Sequence, residues 1–107
     1  MKIFKRLNKK GYKHYYEGTV KELDSMDKDN QHLHSEIMQV IMWLYEKHGI
    51  WIQVKPGGKL ETWDFITQKK DNTFAVPYFE IKQHKPFFNS PTEAYSAAID
   101  YTLNNLI

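Results

Sequence analysis

Five histidines (His14, His32, His34, His48 and His84) are the first side chains here with metal chemistry, and His32-x-His34 is the nearest to a ligand pair. On a helix, residues two apart point about 200° away from each other, so this pair cannot chelate one ion. His34 and His48 share a helical phase, but 14 positions separate them, which at 1.5 Å per residue is about 21 Å. The acidic run Asp24-Ser25-Met26-Asp27-Lys28-Asp29-Asn30 suggests a calcium loop. An EF-hand beginning at Asp27 would need Gly where His32 stands and Glu where Met38 stands. Helix capping and dipole complementarity account for these acids instead. Gly57-Gly58-Lys59 lacks the earlier glycine of a phosphate loop, has Leu60 in place of Ser or Thr, and sits in a turn between strands. Glu61 and Asp64 are an odd offset apart, so on a strand they face opposite ways and do not pair for acid–base work. No serine has nucleophile-elbow context, and the absence of cysteine removes the thiolate zinc site, the thiol nucleophile and the disulfide scaffold together. These residues predict a protein that binds rather than an enzyme, with no metal and no cofactor.

What remains is the chemistry of surfaces. Residues 1–16 hold Lys2, Lys5, Arg6, Lys9, Lys10 and Lys13 with no acid, interleaved with Phe4, Tyr12, Tyr15 and Tyr16. Basic side chains neutralise phosphates and rings stack on unpaired bases, a combination suited to single-stranded nucleic acid or a nucleoprotein. Lys5, Arg6, Lys9, Lys10, Lys13, Tyr12, Tyr15 and Tyr16 are therefore the candidate contact residues. A solvated arm whose tyrosines cap the core edge has the same composition, and both readings stay open. Residues 17–36 carry Glu17, Glu22, Asp24, Asp27, Asp29 and Glu36 against Lys21 and Lys28. That acidic pole would suit a cationic groove on a partner, although the two lysines make it a mediocre phosphate mimic. The net charge of +2 thus describes a bipolar chain.

A length of 107 residues suits one domain with one core. The composition, 41% hydrophobic and 26% charged, is that of a folded chain. Aromatic residues make up 15% of the chain, more than one modest core requires, so some rings are expected at the surface. No apolar run approaches the roughly 20 residues of a membrane span. The basic N-terminus lacks the apolar stretch of a signal peptide, and a cytoplasmic location is expected.

The elements that must position these groups follow from periodicity. Residues 1–28 are expected to form an irregular basic and acidic segment, in which Ile3, Phe4 and Leu7 could make a short strand or a helical turn and residues 1–24 are read as irregular with some strand. Residues 29–107 read as an α-β-β-β-α core. Leu33, Ile37, Val40, Ile41, Leu44 and His48 recur at helical spacing from Asp29 to His48, with Asp27 or Asp29 as N-cap and Gly49 as stop. The apolar arc from Val40 to Met42 is about 200° wide. Trp43 lies outside it, either covered by the N-terminal segment or exposed as a binding hot spot, and the covered reading is preferred. Ile50–Lys55, Leu60–Gln68 and Phe74–Gln83 alternate as strands, joined by turns at Pro56–Lys59 and Lys70–Asn72, which predicts an antiparallel meander. Pro77 suggests an edge or bulge in the third strand. Ser90-Pro91-Thr92-Glu93 is a capping box opening a last helix, whose face is Tyr95, Ala98, Ile99, Thr102, Leu103 and Leu106. The expected architecture is a two-layer α+β domain with both helices on one face of the sheet.

Two segments, Trp43-Leu44-Tyr45-Glu46-Lys47-His48-Gly49-Ile50-Trp51-Ile52 and Asn89-Ser90-Pro91-Thr92-Glu93-Ala94-Tyr95-Ser96-Ala97-Ala98-Ile99-Asp100-Tyr101-Thr102-Leu103, resemble short uncharacterised proteins of bacteriophages and other mobile elements. The resemblance runs from about residue 35 to the end and covers a helix-to-strand joint and a capped helix, so it transfers architecture and no catalytic residue. It implies an accessory protein that disables a host defence, with an anti-CRISPR acting on an RNA-guided nuclease or its guide complex as the foremost expectation. The implied partner is a bacterial protein or ribonucleoprotein, with possible RNA contact and no membrane. The alternatives are an RNA- or single-stranded-DNA-binding module and a phage protein–protein interaction domain. The protein is expected as a monomer, or as a homodimer through the apolar arc of the first helix.

Overall fold

The apolar phase through Leu33, Ile37, Val40, Ile41 and Leu44 is buried, and it places the longest helix at the centre of the fold. The computed structural model describes residues 2–57, 62–69 and 88–107. Among these residues lie four helices and one antiparallel hairpin: α1 (Ile3–Lys9), α2 (Val20–Ser25), α3 (Gln31–His48), β1 (Ile50–Pro56), β2 (Trp63–Lys69) and α4 (Pro91–Asn105). The fold is α+β.

Helix α3 stops at Gly49, which adopts the left-handed conformation (φ 65°) that a residue without Cβ reaches at little cost. Its start differs from expectation. Asn30, not Asp27 or Asp29, is the N-cap, accepting from His32 N at 2.8 Å, while the Asp27 carboxylate accepts from Asp29 N at 3.3 Å and shapes the preceding turn. His48 and Met42 are exposed, so the buried arc is narrower than the sequence pattern predicts. Helix α4 begins as expected: Ser90 Oγ accepts from Glu93 N at 3.2 Å, and Pro91 is the first helical residue. The Glu93 carboxylate reaches Asn89 N at 3.0 Å, one residue before the usual capping-box partner, and also binds Lys28 Nζ at 2.9 Å.

In the hairpin, Ile52 pairs with Thr67 and Val54 with Phe65, and Gly57 N donates to Thr62 O at 2.8 Å. Ile50, Ile52, Phe65 and Thr67 are buried, whereas Trp51, Gln53 and Gln68 are exposed, the alternation a half-buried sheet requires. Helix α3 packs on β1, α4 packs on both strands, and the two helices touch. Their shared core joins Leu33, Ile37, Val40 and Leu44 to Ile50, Ile52, Phe65, Ala98, Ile99 and Leu103. The expected third strand Phe74–Gln83, Pro77 within it, the turn at Lys70–Asn72 and residues 58–61 lie outside the described residues. On the side of β2 away from β1, Trp63 and Phe88 exchange both backbone hydrogen bonds at 2.8 Å.

The N-terminal segment corrects the sequence reading in part, because two short helices flank its irregular stretch. Ile3, Phe4 and Leu7 are buried along one face of α1, and Leu23 is buried on α2. Thr19 caps α2 by accepting from Glu22 N at 3.1 Å. Helix α1 has no side-chain cap of its own. The buried Asp24 carboxylate of α2 takes that role, accepting from Phe4 N at 2.8 Å and Lys5 N at 3.0 Å. Asp24→Ala is expected to destabilise the protein by about 1 kcal/mol, the usual worth of an N-cap. Thermal denaturation would show this as a drop of several degrees, and an unchanged midpoint would rule the cap out.

Candidate binding surface

Segment 12–18 has no regular secondary structure, yet side-chain hydrogen bonds fix its backbone. Glu36 is in phase with the apolar stripe of α3 (three residues after Leu33, four before Val40) and is only 2% exposed. A carboxylate in such a place must be met by donors. It accepts from the Tyr12 hydroxyl, from Tyr15 N at 2.8 Å and from Tyr16 N at 2.5 Å. His14 Nε2 lies 3.1 Å from Gly18 O and closes the loop locally. Gly18 allows close approach: a Cβ there would collide with the ring edge of Tyr16 and the carboxylate of Glu22.

This clamp decides what each tyrosine can do. Tyr12 is buried, with its hydroxyl committed to Glu36 and its ring edge-on to Trp43 at 5.4 Å. Burial, reinforced by the Glu36 hydrogen bond and charge, pushes its phenol far above the ordinary tyrosine range. Tyr12 is therefore not a contact residue: its phase relative to the core and its bond to Glu36 withdraw it from solvent. Tyr16 is half-buried and tilted against His32, with ring centroids 5.4 Å apart. Tyr15 is the exposed member, at 72%. Its ring, with Tyr16, Glu17, Gly18 and His32, lines an open cleft of about 660 Å³.

The basic residues divide in the same way. Lys5 and Lys9 are exposed on α1, and Lys10 and Lys13 are exposed beyond its end. No ion pair engages these four among the described residues. Arg6 is instead held by Asp100 and Asn104, tying α1 to α4, so it serves the fold more than a partner. Trp43 is half-buried between Tyr12 and His48, its centroid 4.9 Å from the latter. The N-terminal segment does fold over it, which removes it as an exposed hot spot. The exposed tryptophan is Trp51, edge-on to Tyr45 at 5.6 Å, on a surface that also exposes Met38 and Met42.

The acidic pole is weaker than its sequence suggests, because Asp24 and Glu36 are buried and bonded internally. His32 packs on Tyr16. His34 meets Lys28 O at 2.8 Å and Thr92 Oγ1 at 2.9 Å. The pair thus diverges as helical spacing requires, and no group of three or more His, Asp or Glu among the described residues is arranged to hold a metal. No helix among them is long and apolar enough to cross a membrane.

The arrangement is a hydrogen-bonded loop presenting one exposed ring and an open cleft, in a segment that also exposes four lysines. Comparison with known protein families, curated proteins and solved structures found no match to this chain.

Proposed function

We propose that this protein acts by binding, and that the α1–loop face contacts single-stranded RNA or DNA. The observation that carries this reading is the exposure of Lys5, Lys9, Lys10 and Lys13 on and just beyond α1, without ion pairs among the described residues, together with the exposed ring of Tyr15, whose backbone amide a buried carboxylate holds. A loop built to expose an aromatic ring supplies a stacking platform, and the lysines supply phosphate neutralisation. The resemblance to phage proteins favours one setting for that strand: the guide RNA of an RNA-guided nuclease, which the protein would inhibit. Guide-loaded effector should then be retained by the immobilised protein and empty effector should not. Equal retention of both would favour a protein–protein contact in its place.

Bare strands test the core of the proposal. Four phosphate contacts on a single strand give a log–log salt slope near −3, so affinity for a labelled oligonucleotide is expected to fall about 50-fold between 50 and 200 mM salt. Replacing all four lysines by alanine is expected to flatten that slope. Fluorescence anisotropy reads both, and a quadruple variant binding as tightly as the parent would end the proposal.

A further inference from the structure

We infer that the cleft beside Tyr15 is a base pocket, and that Glu17 gives it a preference for guanine. The inference rests on the strand-binding reading and assigns the pocket its ligand. The cleft is open to solvent and shallow, the form that receives the face of a single unpaired base more readily than an enclosed small molecule. Three of its five lining residues are rings: Tyr16 and His32 tilted together at 50°, and Tyr15 exposed beside them. Rings of this kind accept any base by its face and therefore give affinity without choice.

Choice comes from the fourth lining group. Glu17 is the one acid among the five residues that line the cleft, and the first acid in the chain, after six basic residues. On a surface that only attracted phosphate, a negative charge here would weaken every strand alike. Against a base edge it discriminates. An ionised carboxylate offers two acceptor oxygens and no donor. On the Watson–Crick edge, guanine alone presents two adjacent donors, its N1–H and its N2 amino group. Adenine and cytosine place a ring-nitrogen acceptor beside their single amino group, and uracil flanks its N3–H with two carbonyls. Glu17 can therefore bond guanine bidentately, whereas each other base turns an acceptor toward it. Glu17 follows the Tyr16 amide held by Glu36 and precedes Gly18, so its backbone is fixed where the residue lines the cleft with the rings.

The test uses uridine oligomers carrying a single guanosine, inosine, adenosine or cytidine. Inosine keeps the N1–H and lacks the N2 amino group. Guanosine is expected to bind about ten-fold more tightly than the other three, the worth of one good bidentate pair. Glu17→Gln is expected to close the gap between guanosine and inosine. Gly18→Ala, which displaces the Tyr16 ring, is expected to weaken all four oligomers. Salt-sensitive binding that is equal for the four overturns the guanine assignment and leaves the strand-binding reading intact. If no oligomer binds in a lysine-dependent way, both fall together.

Discussion

Glu36→Ala is expected to destabilise this protein by about 3–5 kcal/mol, because it leaves one buried hydroxyl and two backbone amides without their acceptor. Hydrogen bonds to a charged group contribute about 1.5–3 kcal/mol each, and an unsatisfied buried donor costs about 1–3 kcal/mol. Simple addition over three donors would exceed the expected range, but the loop can relax and let water reach the Tyr15 and Tyr16 amides. The Tyr12 hydroxyl, within the core, has less freedom to do so. Against a total stability of about 5–15 kcal/mol, the loss is large enough to threaten folding at growth temperature. Glu36→Gln keeps one acceptor oxygen and is expected to lose about half as much. Denaturant unfolding of the two variants checks the order, and an alanine variant within about 0.5 kcal/mol of the parent would show that the clamp contributes nothing.

The same residue explains what was legible in the sequence. Helices α3 and α4 could be read because each has its own periodic apolar face, and their ends could be read because Gly49 and Ser90-Pro91 are local signals. The charge of Glu36 groups it with the acidic surface, although its phase between Leu33 and Val40 places it on the buried stripe. A charged residue in a core phase is a signal for internal donors. Helix α1 offers only Ile3, Phe4 and Leu7, which fit a short strand and a helical turn alike. It has seven residues, barely two turns, and its cap comes from Asp24, 20 positions away. Helix α2 is read as irregular because six residues with one buried leucine show no period, although Thr19-Val20-Lys21-Glu22 matches the capping pattern. Short helices of this kind are stabilised by tertiary contacts, which a linear pattern does not display.

The candidate surface follows the same division. Exposure of Lys5, Lys9, Lys10 and Lys13 follows from charge and is readable. Which of three neighbouring tyrosines faces solvent is not, because the answer lies in the Glu36 bonds to Tyr12, Tyr15 and Tyr16. Likewise the aromatic excess predicts exposed rings without saying which, while Trp43 is read as covered because lone exposed tryptophans are uncommon. The N-terminal segment supplies Tyr12 to cover Trp43, while Trp51 and Tyr15 stay in solvent.

Tyr12 should make the protein sensitive to alkali in a way that Tyr12→Phe removes. Its phenol is held above its ordinary value first by burial and then by the hydrogen bond and negative charge of Glu36. In the unfolded chain a tyrosine ionises near pH 10. Below that pH both states keep the proton, and the full contribution of the Tyr12–Glu36 bond is present. Above it the unfolded chain releases the proton while the folded chain retains it, so stability falls as pH rises, by up to about 1.4 kcal/mol per pH unit from this one group. Lysine deprotonation acts over the same range, but it acts on the parent and the phenylalanine variant alike. The difference between them isolates the phenol. At pH 8 the variant should be less stable by about 1–2 kcal/mol, having lost a charge-assisted bond. By pH 11 the two unfolding curves should have converged. A gap that stays constant across that range would mean that the Tyr12 hydroxyl titrates with equal ease in the folded and unfolded chains, and that the phenol is not held by the carboxylate at all.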